Sequence, residues 1–305
     1  MLHNDKELFE QAVLKTAEYM NIDAGIVEKD YFVTLMLKEI SSTVPDLVFK
    51  GGTSLSKCHK AINRFSEDID LTVEYDTKPS ESKRKNLKKS IVAAIEKYGF
   101  ELANPDEIRS RREFNKYIVN YPSEFMQSGL KNHLQIETMI KIKAYPNEEM
   151  EAASLIYEYL IAEGLDDMIK EYGLDPFVLK VQSAERTFID KIFALADYYM
   201  SNRITEHSRH IYDIHKLMDK VELNQEFKDL FERVRLERQP HQLICLSAQE
   251  DVDIVNVLNE IIENAAYKTD YNEITALLIF EKIEYETAIK SLNEVKDFLG
   301  REFTL

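Results

Sequence analysis

The sequence predicts an α+β fold, in which a small mixed β-sheet with flanking helices is followed by a C-terminal helical domain. Two observations predict it. Strand-like runs are confined mainly to residues 47–142, and helical spacing of apolar residues dominates from about residue 148. We therefore expect one domain over residues 1–147, with a helical lead-in, and a mainly helical domain over residues 148–305.

The elements of the first half follow from spacing and from helix breakers. Apolar residues recur at helical intervals from residue 5 to about 20 and from Asp23 to about Ile40, and Pro45 ends this lead-in. Later predicted elements are strands beginning at Leu47 and covering Asp68–Tyr75, a helix from Ser80 to Tyr98, and strands over Glu113–Tyr121 and His133–Ile142.

The second half has the pattern of a helical domain. Predicted helices cover residues 150–162, 166–171, 183–200, 208–220, 225–235, 252–266 and 274–299, the last in one or two pieces. The segment Pro176–Gln182 interrupts them and is predicted to be a last edge strand.

Composition restricts the classes of function. A net charge of −16 and a pI near 5.0 argue against a protein coated for general nucleic-acid binding. Two basic clusters, Lys83–Lys89 and Arg109–Arg112, are local exceptions that either contact a phosphate backbone or, more often in proteins, are solvated surface charge. The two cysteines form no disulfide framework, and no apolar run approaches bilayer length, so we expect a cytoplasmic protein without membrane association.

Chemistry is indicated by a glycine turn and a pair of acids. The apolar run Leu47–Phe49 stops at Gly51-Gly52, after which helical spacing begins, and a helix N-terminus reached through glycines favours a bound phosphate. Asp68 and Asp70 lie two residues apart on a predicted strand and therefore share a face. Adjacent carboxylates repel each other and are commonly bridged by a divalent cation, so the pattern predicts a site for a magnesium-bound nucleotide.

These two stretches resemble the motifs of the AbiEii/AbiGii toxin family, a branch of the polymerase-β-like nucleotidyltransferase superfamily. The family hallmark is K-G-G-T-S-L followed by R-x-S-x-D-x-D, and both halves occur here over Lys50–Leu55 and Arg64–Asp70. The resemblance implies a nucleotidyltransferase core in which Asp68 and Asp70 hold Mg²⁺ or Mn²⁺. By the same resemblance the glycine–serine turn holds the triphosphate. We therefore expect Gly51, Gly52, Thr53 and Ser54 to position the triphosphate and Lys57 to neutralise its charge.

Four further residues have two interpretations each. Glu137 is either an exposed strand residue or the third metal ligand, and Ser66 either turns the chain or belongs to the active-site signature. Lys191 and Asp213 flank two predicted helices and on composition form a solvated or buried salt bridge. The resemblance implies instead that Lys191 reaches the β- and γ-phosphates and that Asp213 orients it or serves the acceptor hydroxyl.

The implied function is transfer of a nucleoside monophosphate from an NTP to an acceptor, RNA and tRNA above all, by a toxin of a bacterial toxin–antitoxin or abortive-infection system. Its partner would be a separately encoded antitoxin, and its biological setting phage defence. The main alternative is a non-catalytic module on the same fold that binds nucleotide or protein, and a third is a kinase- or phosphatase-like metal enzyme. His207, His210 and His215 are not predicted to bind zinc, because they do not share one helical face.

Overall fold

The computed structural model describes residues 1–125 and 131–301. The chain folds into two compact units. The first unit contains Met1–Cys58 and Ser66–Gln182, and the second contains His59–Phe65 together with the chain from Ser183 onward. A mixed α/β architecture with a helical C-terminal region is observed, which confirms the predicted fold class.

The first unit contains six α-helices among its described residues, and polar side chains cap several of them. Asp5, Asp23 and Ser80 each accept a hydrogen bond from a backbone N–H in the first turn that follows them, which satisfies donors without an intrahelical partner. The helices are α1 (Lys6–Met20), α2 (Ala24–Thr43), α3 (Gly51–Lys57), α4 (Glu81–Lys97), α5 (Leu155–Ala162) and α6 (Asp166–Tyr172).

A seven-stranded mixed sheet is the centre of the first unit. Its strands are β1 (Leu47–Lys50), β2 (Asp68–Val73), β3 (Glu101–Leu102), β4 (Phe114–Asn120), β5 (Leu134–Met139), β6 (Asn147–Ala152) and β7 (Phe177–Gln182). Their order across the sheet is β3-β4-β5-β2-β1-β7-β6. The β2–β5 and β1–β7 pairs are parallel and the other pairs are antiparallel.

The two faces of this sheet differ in chemistry. Ile69 and Leu71 of β2 and Ile136 of β5 are fully buried in a core that also takes in side chains of α2 and α4. Residues that alternate with these three along the strands point to the opposite face of the sheet. On that face Asp68, Asp70 and Glu137 are only partly buried. The apolar face packs against the core, and the opposite face carries Asp68, Asp70 and Glu137. We call this opposite side the acidic face.

The second unit is helical in its described part. Its longer helices are α7 (Ala184–Met200), α8 (Arg209–Leu217), α9 (Gln225–Arg238), α10 (Ile254–Glu263) and α11 (Tyr285–Leu299), with short helical turns between Lys268 and Leu278. One side of α7 forms part of the core of this unit, since Phe188, Ile192 and Leu195 are fully buried, whereas Tyr199 is only partly buried. The segment His59–Phe65 joins this unit through an antiparallel bridge between Arg64 and Ile279.

The observed division differs from the boundary predicted near residue 148. The predicted helix over residues 150–162 is wrong in its first part, because Asn147–Ala152 is strand β6 and α5 begins only at Leu155. Strand β7 is not at an edge but lies between β1 and β6. Both strands extend the sheet of the first unit, which therefore continues to Gln182. Nowhere in residues 1–125 and 131–301 does a helix have both the length and the apolarity that crossing a bilayer requires.

Candidate active site

Three carboxylates lie side by side on one face of the sheet, on two neighbouring strands. Asp68 and Asp70 are two residues apart on β2, and β5 pairs with β2 so that Asp70 is opposite Glu137. Residues in register on adjacent strands point to the same face, so Glu137 shares the face of the two aspartates. The side chains of Asp68 and Glu137 are 19% and 25% exposed, which leaves them accessible to a ligand.

The glycine turn lies directly against one of these acids. Lys50 at the end of β1 is in register with Asp70, and the chain turns at Gly51 with a φ of +79°. A Cβ atom built on Gly51 would be 2.0 Å from Oδ2 of Asp70. Only glycine fits here, because a side chain would collide with the carboxylate and would also be strained at this φ. The predicted juxtaposition of glycine corner and aspartate is therefore present.

Helix α3 begins at this corner, and its first turn offers backbone N–H groups rather than side chains. Ser54 Oγ donates to the carbonyl oxygen of Gly51 at 2.9 Å, and Thr53 Oγ1 donates to the carbonyl oxygen of Asp68 at 2.6 Å. Thr53 Oγ1 and Ser66 Oγ are 2.9 Å apart. The hydroxyl of Thr53 thus connects the turn to the strand that carries the acids, while the first-turn N–H groups lack intrahelical acceptors.

Lys57 does not have the contacts of a phosphate ligand. Its side chain is 3% exposed, and its ammonium group lies 2.6 Å from Oδ1 of Asp30, 2.7 Å from Oγ1 of Thr34 and 3.0 Å from the carbonyl oxygen of Ala153. These three acceptors occupy the three N–H donors of the ammonium group. The predicted role of Lys57 in neutralising a triphosphate is not supported, because the side chain ties α3 to α2 inside the first unit.

Two lysines that sequence reasoning missed do reach the acidic face. Lys131 Nζ is 2.8 Å from Oδ1 of Asp68, and Lys116 Nζ on β4 is 3.0 Å from Oε1 of Glu137. Glu137 also accepts a hydrogen bond of 2.8 Å from Nε2 of Gln135. Lys116 could have been found from strand register, since β4 places it opposite Glu137. Nothing in the sequence near Lys131 indicated its position.

Buried charges on α2 hold the chain on either side of this site. Lys29 is 1% exposed, and its ammonium group contacts the carboxylate of Glu67 and the carbonyl oxygen of Lys131. Burial lowers the pKa of Lys29. Glu28 is fully buried and accepts a hydrogen bond of 2.5 Å from Oγ of Ser123. Helix α2 therefore fixes Glu67, the residue before Asp68, and also the backbone of Lys131.

The donor set suits a divalent cation that is bound together with a nucleotide. No group of three or more His, Cys, Asp or Glu side chains is arranged to hold a metal ion in the ranges 1–125 and 131–301. Glu137 is therefore not positioned to bind the same metal ion as Asp68 and Asp70. Mg²⁺ is usually bound by one or two carboxylates and completes its coordination with substrate phosphates and water. Asp68 and Asp70 are the two carboxylates that would supply the protein's part of that arrangement.

In the second unit, Asp213 is the centre of a buried ion cluster. Its two oxygens accept from Nε and Nη2 of Arg64 at 2.6 and 2.9 Å, and Lys191 Nζ lies 2.7 Å from Oδ2. The side chain of Asp213 is 0% exposed and that of Lys191 is 9% exposed. Burial alone would raise the pKa of Asp213, but Arg64 and Lys191 hold it well below its ordinary value. Burial lowers the pKa of Lys191.

This cluster corresponds to the buried salt-bridge interpretation of Lys191 and Asp213, with Arg64 as an additional member. Arg64 is the arginine of the R-x-S-x-D-x-D motif. The motif therefore marked Arg64 as a candidate site residue, but it did not indicate that Arg64 pairs with Asp213. His210 Nδ1 is 3.9 Å from the same carboxylate, and burial with Lys191 nearby lowers the pKa of His210 to about 3. That histidine is therefore neutral at physiological pH.

One of the comparisons with known proteins shows the family of this chain. A search of curated proteins gave no match. Among solved structures, the protein JHP933 from Helicobacter pylori is similar with 17% identity over 90% of each chain and a TM-score of 0.45. The family model described as nucleotidyl transferase AbiEii toxin, type IV toxin–antitoxin system, matches residues 36–293 and so includes both the glycine turn and the aspartate pair. The chain therefore belongs to the AbiEii toxin family of nucleotidyltransferases, which act on a nucleotide substrate and are paired with an antitoxin in type IV systems.

Proposed function

We propose that the protein transfers a nucleoside monophosphate from an NTP to a hydroxyl group of an acceptor RNA, with tRNA as the first candidate. The observation that carries this proposal is the contact between the Gly51 corner and Asp70, with Asp68 on the same sheet face. This arrangement brings a site for phosphate next to two carboxylates that suit a divalent cation. A nucleotidyl transfer needs both within the length of one triphosphate.

In the proposed reaction, the acceptor oxygen forms a bond to the α-phosphorus as the bond between that phosphorus and the β-phosphate's bridging oxygen breaks. Pyrophosphate leaves, and the hydroxyl proton passes to a carboxylate on the acidic face. A bound Mg²⁺ or Mn²⁺ would lower the pKa of the hydroxyl and neutralise charge on the phosphates. Asp68 and Asp70 would hold the cation, and the first-turn N–H groups at Gly51–Ser54 would bind phosphate oxygens.

The roles of four other residues are narrower in this proposal. Ser66 positions Thr53 rather than contacting the nucleotide, since the two hydroxyl oxygens are 2.9 Å apart. Glu137 supports the acidic face and would join the cation only after Lys116 leaves it. The resemblance assigns Lys191 and Asp213 to the reaction, and that assignment stays a prediction, because their contacts within the second unit already form a complete ion cluster.

The first test is Asp68→Asn. We expect nucleotidyl transfer to fall by about a thousandfold, the scale of losing a group that stabilises transition-state charge. Folding should be retained, because the ion pair with the partly exposed Lys131 contributes only about 0–1 kcal/mol. Purified protein is incubated with each α-labelled NTP, Mg²⁺ and total RNA, and label in RNA and release of pyrophosphate are measured. Asp76→Asn, at an exposed position after β2, is the matched control.

Two outcomes would contradict the assignment. If Asp68→Asn incorporates label at the wild-type rate, Asp68 is not part of the reaction. If the wild-type protein binds NTP by titration calorimetry but never releases pyrophosphate, the non-catalytic binding module is correct instead. That alternative is favoured by the ion pairs that Lys131 and Lys116 already form with Asp68 and Glu137.

The lysines make a separate prediction about cation binding. Lys131→Met should tighten Mn²⁺ binding in the absence of nucleotide, on the order of tenfold, because it removes a competing positive charge from Asp68. Binding is measured by electron paramagnetic resonance of free Mn²⁺. Lys116→Met tests Glu137 in the same way, and Lys141→Met, which loses only a pair with Glu113, is the control. Unchanged affinity in Lys131→Met would place the cation away from Asp68.

We further propose that the activity arrests growth of the bacterium that expresses the protein, that a separately encoded antitoxin relieves this arrest, and that the pair protects against phage. Induced expression of the wild-type chain should stop growth, and Asp68→Asn should not. Co-expression of the cognate antitoxin, sought as a small reading frame directly upstream, should restore growth. Equal toxicity of wild type and Asp68→Asn would separate growth arrest from nucleotidyl transfer.

A further inference from the structure

A cationic groove lies on the first unit, between the N-terminal half of α4 and the turn that precedes β4. It is open to solvent, has a volume of about 610 Å³ and is lined by Glu81, Lys85, Lys88, Arg109, Arg111 and Arg112 among others. Its lining takes Lys85 and Lys88 from the first basic cluster of the sequence and all three arginines from the second. It therefore assembles, in the folded chain, charges that are about 20 residues apart in the sequence.

The charge of this groove is opposite to that of the protein. The whole chain has a net charge of −16, yet the residues that line the groove include five Lys and Arg side chains and one acid, Glu81. Glu81 is itself paired with Lys85 at 2.9 Å. Arg109, Arg111 and Arg112 are all exposed. A local excess of positive charge on an acidic protein attracts a polyanion to this face and repels it from the rest of the surface.

The arginine turn is held in place by defined hydrogen bonds. The Asn115 side chain accepts from the backbone N–H of Arg109 at 2.9 Å and donates to its carbonyl oxygen at 3.1 Å. Lys88 Nζ donates to the carbonyl oxygen of Ile108 at 3.1 Å, and the Ile108 side chain is buried. The backbone that presents the arginines is thus fixed before any ligand binds, which lowers the entropic cost of binding.

We propose that this groove binds the phosphate backbone of the acceptor RNA, an inference that rests on the proposed function and extends it. Guanidinium groups match phosphate geometry through paired N–H donors, and each arginine has five such donors. Arg109 and Arg112 each donate from Nη1 to a backbone carbonyl oxygen, which orients the guanidinium group. Backbone contacts of this kind position a polynucleotide without reading its sequence. The groove therefore supplies affinity for the RNA and positions its backbone, and the acidic face carries the residues for nucleotidyl transfer.

The test is binding of a fluorescein-labelled RNA hairpin of mixed sequence, followed by anisotropy from 50 to 300 mM KCl, a range on the order of that over which phosphate contacts weaken. In the triple variant Arg109→Gln, Arg111→Gln, Arg112→Gln, we expect binding to weaken at least about tenfold. The slope of log K against log[salt] should fall by about 2–3, since each lost phosphate contact removes about 0.7–0.9. The triple Arg→Lys variant should restore most of the slope because it retains the charges.

The matched control removes three positive charges elsewhere on the same unit, Lys6→Gln, Lys15→Gln and Lys170→Gln, all at exposed positions. It should bind RNA as the wild type does. Equal weakening in the control and the groove variant would overturn the proposal, as would unchanged RNA affinity in the groove variant. Tighter binding of a polyglutamate peptide than of RNA would overturn it too and would assign the groove to an acidic protein.

Failure of this proposal is distinguishable from failure of the proposed function. Asp68→Asn should keep RNA binding while it loses nucleotidyl transfer. The groove variant should keep NTP binding by calorimetry and its thermal unfolding temperature while it loses RNA binding. RNA binding that depends on the groove in a protein without transferase activity would leave the groove assignment intact and reject only the enzyme.

Discussion

Gly51→Ala is expected to lower nucleotidyl transfer by about a hundredfold in a protein that still folds. The new Cβ would be 2.0 Å from Oδ2 of Asp70, so the carboxylate has to move away from its present position. Displacements of about 1 Å in a group that positions the reactants cost about 10²-fold in rate. Label incorporation from α-labelled NTP measures the effect, and far-UV circular dichroism verifies the fold.

Backbone strain has to be separated from that displacement, and the chain provides the control. Gly99 also has a positive φ, of +69°, but a Cβ there would meet nothing within 4 Å. Gly99→Ala therefore incurs only the left-handed conformational penalty of about 1–2 kcal/mol. We expect it to lose some stability and to keep full activity. Equal losses of activity in both variants would show that strain, not the position of Asp70, explains the result for Gly51.

Asp213→Asn is expected to lower the free energy of unfolding by about 3–5 kcal/mol, the cost of leaving buried charges without their counter-ion. Nε of Arg64 and Nζ of Lys191 lie 2.6 and 2.7 Å from the Asp213 carboxylate, whose side chain is 0% exposed. Urea unfolding is followed by circular dichroism, since the chain has no tryptophan. Asp219→Asn, an exposed substitution shortly after α8, should change stability little.

The same carboxylate predicts how stability depends on pH. Arg64 and Lys191 hold the pKa of Asp213 below its ordinary value, so the folded state binds this proton less readily than the unfolded state does. The ionised Asp213 carboxylate therefore contributes fully to the free energy of unfolding above an unfolded-state pKa of about 3.9. This contribution is lost as the pH falls through the lower, folded-state pKa. Asp213→Asn should reduce the acid-induced loss of stability. The ion-cluster interpretation would be contradicted if Asp213→Asn changed stability only slightly and lost stability at low pH as the wild type does.

Local patterns predicted the centre of the site because its geometry is local. Alternation along β2 predicted that Asp68 and Asp70 share a face, and alternation along β5 predicted that Glu137 points away from the core. Strand pairing then brings the two predictions together, since Glu137 lies opposite Asp70. The glycine corner followed from one strand that ends in two glycines. These inferences needed only the two-residue period of a strand and the backbone freedom of glycine.

The sequence could not predict which cations meet which anions across long separations. Lys57 is near the glycine turn in sequence, yet its ammonium group is bound to Asp30 and Ala153. Lys131 is 63 residues from Asp68 and nevertheless contacts it. Strand β6 was not predicted because Asn147–Ala152 is rich in glutamate, and its pairing with β7 overrides that weak strand propensity.

The segment His59–Phe65 belongs to the second unit although both of its chain neighbours belong to the first. The polypeptide therefore passes from one unit to the other three times, and no single cut yields either unit whole. A gene fragment starting at Ser183 would encode Lys191 and Asp213 but not Arg64, and its product would inherit a buried carboxylate without its bidentate cation. Domain shuffling that transfers one unit alone is therefore disfavoured, and we expect the two units to occur together in one gene.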